Sequence, residues 1–116
     1  MPSSDVVRTR HMVDAARKAV AFGQELSRED LDANEMAALA LVRLVEIIGE
    51  AARYVSPEIK AAHPEIAWKQ IIGTRDRLIH GYFDVDLDIL WAIATKDLPA
   101  LISVLEPLLE SDGNGP

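Results

Sequence analysis

Between Glu35 and Val55 an apolar residue recurs at every third or fourth position: Ala37, Leu41, Leu44, Ile48, Ala51 and Val55. That spacing follows the turn of an α-helix and gathers the side chains into one stripe, which has to be buried against other elements. Asn34 is placed to cap the start of this helix. The opposite side carries Arg43, Glu46, Glu50 and Arg53, again three and four residues apart. Two readings of that side stand together. It is a solvated ladder of ion pairs, worth roughly a few tenths of a kcal/mol each, or it supplies a carboxylate to a cation elsewhere in the fold.

The same periodicity runs through most of the chain. Val6, Val13, Ala16 and Val20, with Met12, Ala19 and Phe22 beside them, predict a first helix from about Asp5 to Gln24, capped by Ser4 or Asp5. His11 falls on its flank and reads as a surface residue. Ser27-Arg28-Glu29-Asp30 resembles a capping box opening one short turn. Ser56-Pro57-Glu58 reads as an N-cap, a proline in the first turn and an acid at the positive helix end, and this helix should stop before His63-Pro64. Ala67 to His80 is predicted as the third major helix. Leu87, Leu90, Trp91 and Ala94 continue the core, and Asp97-Leu98-Pro99 marks a kink or restart. Leu98, Leu101, Ile102, Leu105, Leu108 and Leu109 finish the last helix. No strand pattern, repeat or glycine-rich phosphate loop is apparent. The expected fold is all-α, an up-and-down bundle of four or five helices formed by residues 1–116 as one domain, with residues 1–4 and 111–116 frayed.

Composition narrows the function. The chain has no cysteine, so disulfides, thiolate metal sites and thiol chemistry are excluded. No apolar run is long enough for a membrane span and no signal-peptide pattern is present, so a cytoplasmic protein without membrane contact is expected. The net charge of −7 disfavours broad phosphate affinity, so nucleic-acid binding would need a local cationic site or a basic partner. Asp84, Asp86 and Asp88 suit the start of a helix better than they suit a metal. No cofactor or metal is expected.

The stretch Gly73-Thr74-Arg75-Asp76-Arg77-Leu78-Ile79-His80-Gly81-Tyr82-Phe83-Asp84 breaks the apolar pattern. On one continuous helix Arg75 shares its face with Trp68, Ile71, Ile72, Leu78, Ile79 and Tyr82, all within about 60°. An unpaired charge there would cost several kcal/mol, so Arg75 requires a carboxylate partner or a wet cleft that an anion can enter. Asp76, four residues before His80, is placed to orient the imidazole. Gly81 is placed as a helix C-cap, freeing Tyr82 to approach the histidine. On a straight helix His80 lies about 140° around from Arg75 and roughly 7.5 Å along the axis, so two copies facing each other would close the site more easily than one.

Arg75-x4-His80-x-Tyr82, with Asp76 after the arginine, resembles the R-x4-H-x-Y signature of HepT-type HEPN ribonuclease toxins. Leu44-Val45-Glu46-Ile47-Ile48-Gly49-Glu50-Ala51-Ala52, His63 to Trp68, Ile72-Gly73 and Gly81 to Asp86 are also similar to the family, so the likeness extends from about Asp5 to Glu110. A HEPN-like fold is what it implies, and the separation of Arg75 and His80 adds the expectation of a homodimer. Chemistry assigns His80 general acid/base work on RNA and Arg75 the stabilisation of phosphorane charge, with Asp76 and either Glu46 or Glu50 in support. The family resemblance implies a toxin–antitoxin pair, with RNA as substrate and an MntA-type nucleotidyltransferase antitoxin that adds AMP to Tyr82. Two other readings stay open. One is a non-catalytic nucleotide-binding partner subunit of a nucleotidyltransferase. The other is a helical dimerisation module in which Arg75 makes a buried structural pair.

Overall fold

The computed structural model describes residues 1–81 and 84–113. Three long helices form the frame: α1 (Ser3–Gln24), α3 (Glu35–Arg53) and α8 (Leu98–Gly113), with α1 packed against both others. Short helices fill the connections: α2 (Arg28–Ala33), α4 (Pro57–Ala62), α5 (Trp68–Ile72), α6 (Thr74–Leu78) and α7 (Leu87–Ala92). The result is an all-α bundle around one core, in which Met12, Leu31, Leu41, Leu78, Leu90 and Leu105 are fully buried. Among the described residues, no helix is long and apolar enough to cross a membrane.

Most helix starts follow their local chemistry. Ser27 and Asp30 form a reciprocal capping box, Asn34 Oδ1 accepts from the Ala37 N–H at 3.1 Å, and Ser56 caps α4 ahead of Pro57. The first helix departs from expectation. It begins at Ser3 behind Pro2 with no side-chain cap, so Ser3 and Ser4 are helical. Asp5 is buried instead, its carboxylate accepting from the Ser56 N–H at 2.8 Å and the Ser56 hydroxyl at 2.7 Å. One carboxylate thus joins the N-termini of α1 and α4. At the other end α8 runs on through residues 111–113, where fraying was expected. The restart near Asp97 is a π-helical turn, Ile93–Asp97, between α7 and α8.

The expected third helix is where the fold differs most. It breaks at Gly73 into α5 and α6, then ends at Leu78. Ile79–His80 forms β1 and pairs antiparallel with β2, Asp84–Val85, in the register Ile79 to Val85 and His80 to Asp84. The Asp86 N–H donates to the Leu78 carbonyl at 2.8 Å and closes the base of this small hairpin. Gly81 has φ +73°, a conformation natural to glycine and strained for other residues. It therefore begins a chain reversal; it is not the cap of a helix.

Candidate functional site

Glu46 lies midway along α3, and Gly49 follows three residues later on the same side. A Cβ at Gly49 would stand 3.2 Å from the Ile71 carbonyl oxygen and 3.7 Å from that of Ile72. The bare glycine therefore lets the end of α5 rest on the α3 backbone. That close approach sets α6 above Glu46, and the Arg75 Nε–H donates to Glu46 Oε2 at 3.1 Å. The Arg75 side chain is 61% exposed and that of Glu46 29%, so the pair stands at the mouth of a cleft. Arg43, Glu50 and Arg53 share this cleft, whose volume is about 300 Å³.

Arg75 is thus not embedded among apolar neighbours, as one continuous helix would have required. The break at Gly73 resets the helical phase, so the face that buries Trp68 in α5 does not continue to Arg75 in α6. Both conditions set for the arginine are met together: it has a carboxylate partner and it lines a wet cleft. Glu46 occupies only the Nε edge of the guanidinium. The terminal nitrogens remain for the forked contact that arginine makes with phosphate oxygens. The other reading of the α3 surface, a ladder of ion pairs, is not formed. Among the described residues no two of Arg43, Glu46, Glu50 and Arg53 are paired with each other.

His80 is exposed on β1, and its neighbour is not the expected one. Because the helix ends at Leu78, Asp76 and His80 are not successive positions on one helical face, and Asp76 makes no hydrogen bond to the ring. Asp86 comes nearest, with Oδ2 at 4.0 Å from His80 Nε2. That distance is beyond a hydrogen bond, so the carboxylate faces the ring across a short gap without bonding it. The other oxygen of Asp86 accepts from the Asp88 and Ile89 N–H groups, each at 3.1 Å, and caps α7. Asp88 pairs with Arg28, while Asp84 lies in β2 and not at the helix start expected for it. Within one chain no hydrogen bond or ion pair joins Arg75 to His80 among the described residues, and His80 does not line the cleft. Tyr82, expected as the modified residue, lies outside the described residues.

The sequence profile described as Ribonuclease HepT-like matches residues 12–108. The chain belongs to the HepT-like family. "Probable ribonuclease HepT" of Thermococcus cleftensis is 39% identical over 87 residues, 75% of this chain and 79% of the relative. "Putative RNase MJ1380" of Methanocaldococcus jannaschii is 33% identical over 95 residues, 82% of this chain and 87% of the relative. No solved structure matches the chain.

Two residues of the candidate site in this HepT-like chain escaped sequence reasoning. Gly49 is silent in a periodicity analysis, since its role depends on which backbone crosses it. Asp86 was legible only to a reader who took Gly81 as the turn of a hairpin. The signal was present in the β-branched and aromatic residues of Ile79-His80-Gly81-Tyr82-Phe83-Asp84-Val85 around a central glycine.

Proposed function

We propose that this HepT-like chain is a metal-independent endoribonuclease that works as a homodimer. The observation that supports this reading best is the Arg75–Glu46 pair at the mouth of an arginine-lined cleft. A carboxylate that grips one edge of a guanidinium holds the rest of it in a fixed pose, ready for an oxyanion. In the proposed reaction a base removes the 2′-hydroxyl proton, and O2′ attacks the adjacent phosphorus. The P–O5′ bond breaks as the departing oxygen takes up a proton, leaving a 2′,3′-cyclic phosphate and a free 5′-hydroxyl. His80 supplies the general acid/base group, Arg75 meets the charge on the phosphorane, and Asp86 rather than Asp76 is the carboxylate nearest the imidazole. Arg75 and His80 are not in contact within one chain, so a second copy supplies the complementary residue. Two histidines can then divide the acid and base roles.

The same reading includes a toxin–antitoxin pairing in which a nucleotidyltransferase adds AMP to Tyr82. A phosphodiester placed two residues from His80 would put bulk and negative charge beside the catalytic imidazole and compete with substrate. A second function, a nucleotide-binding partner subunit without hydrolysis, is favoured by the separation of Arg75 and His80 and by the acidic chain.

One experiment separates these. The purified chain is incubated with single-stranded RNA in excess chelator, alongside His80→Ala. Cleavage that survives the chelator and drops roughly 10²–10⁴-fold in the variant supports the nuclease. RNA left whole by the parent, or cut equally by both proteins, refutes it. Intact mass after co-expression with the cognate nucleotidyltransferase then reports AMP addition, which Tyr82→Phe should abolish.

A further inference from the structure

Two guanidiniums in the cleft take no part in the Arg75–Glu46 pair. Arg43 and Arg53 lie on the face of α3 that also carries Glu46 and Glu50, within about 80° on the helical wheel. Both are exposed, and among the described residues neither side chain has a hydrogen-bond or ion-pair partner. This is notable for Arg53, because Glu50 sits one turn before it at a spacing that permits a helix-surface pair. The cleft therefore holds three arginines against two glutamates, a net +1 in a chain whose total is −7. Ile71 and Ile72 form its apolar wall, which excludes solvent from one side and strengthens the local field.

We infer that Arg43 and Arg53 form, with Arg75, a phosphate track along α3 that grips single-stranded RNA on both sides of the bond to be cut. The track rests on the nuclease reading for its position and on its own charges for its grip. From residue 43 to residue 53 α3 rises about 15 Å, and Glu46, which holds Arg75, lies about a third of the way along. At roughly 3.4 Å per stacked nucleotide that length spans about four steps, and fewer if the strand is stretched. An acidic protein can hold RNA in this way without a basic surface elsewhere. Glu46 and Glu50 lie between the arginines and set the spacing of positive charge, so that phosphates bind at the ends and beneath Arg75. The ligand class is single-stranded RNA several nucleotides long; dinucleotides would use Arg75 alone.

The test is equilibrium binding of a labelled single-stranded RNA of about twelve nucleotides, long enough to fill such a track. The full chain carries His80→Ala throughout, so that binding is read without turnover. Affinity is measured across a range of sodium chloride concentrations. Arg43→Ala with Arg53→Ala should flatten the plot of log affinity against log salt by about 1.4, twice the roughly 0.7 expected for each single-strand phosphate contact. Arg43→Lys with Arg53→Lys keeps the charges and should retain most of the slope. Arg10→Ala with Lys18→Ala, two cations of α1, should leave it as in the parent. Circular dichroism confirms that each variant folds. A slope unchanged in the double alanine variant overturns the track. So does an equal loss in the lysine variant or in the α1 variant. If the alanine pair leaves the slope alone but dissociates a dimer, those arginines hold a second copy and the track is again refuted. A parent chain that grips RNA through Arg43 and Arg53 yet never cuts it would refute the nuclease and leave the track standing.

Discussion

Arg75→Ala distinguishes a structural arginine from a catalytic one, because the two roles predict stability losses of different size. The Arg75 side chain is 61% exposed and its partner Glu46 is 29% exposed. An ion pair in such a setting is screened by water and salt and contributes about 0.2–1 kcal/mol. For 116 residues at about 2.1 cal/mol/K per residue, the unfolding entropy is about 0.24 kcal/mol/K. The variant should therefore melt only about 1–4 °C below the parent. Breaking a buried pair would cost about 3–5 kcal/mol, a fall of roughly 12–20 °C on the same scale. Cleavage should behave in the opposite manner. Loss of a preorganised group that meets developing oxyanion charge typically costs about 10²–10³ in rate. The assays are calorimetric melting and initial rates of RNA cleavage on the same preparations. A melting point more than about 10 °C lower would make Arg75 a structural residue. A rate within threefold of the parent would remove it from the catalytic site.

Three further substitutions examine the surroundings. Gly49→Ala gains about 0.5–1 kcal/mol of helix propensity but puts a Cβ 3.2 Å from the Ile71 carbonyl, and crowding of this kind costs about 1–3 kcal/mol. The melting point should fall slightly and cleavage should weaken as α6 shifts away from Glu46; a variant that melts higher would show that α5 yields freely. Asp86→Asn retains a good helix cap while removing the charge beside His80; an exposed pair of this kind is worth at most about 1 kcal/mol, so kcat should fall by up to roughly fivefold with KM little changed. An unaltered kcat would exclude Asp86 as a positioning residue. Thr9 is fully buried, and its hydroxyl has no hydrogen-bond partner among the described residues. The isosteric Thr9→Val should stabilise the chain by about 1 kcal/mol, or roughly 4 °C, and a lower melting point by calorimetry would mean that the hydroxyl is satisfied in solution.

The short-range features were readable residue by residue. Ser27, Asn34 and Ser56 cap helices because a side-chain oxygen need reach only two or three residues ahead. Of the stripe read along α3, Leu41, Leu44, Ile48 and Ala51 are buried, Ala37 is only half-buried, and Val55 is buried just past the helix end at Arg53, while Ala38, Val42 and Val45 widen the stripe. Asp5 was misread for the complementary reason. An acid at a helix start looks like a cap, but its partner Ser56 lies 51 positions away and becomes a neighbour only through folding.

Periodicity and capping along the chain were enough to specify an all-helical bundle, and the spacing of Arg75, His80 and Tyr82 was enough to single out the segment that bears the candidate chemistry. Those properties are local, since each depends on groups within a turn or two of one another. Which way Arg75 faces, which acid attends His80 and which backbone passes over Gly49 depend on contacts between distant segments. A helical wheel presumes a continuous helix. The break at Gly73 and the pairing of β1 with β2 end that continuity, and the charges of the site take up positions that packing imposes.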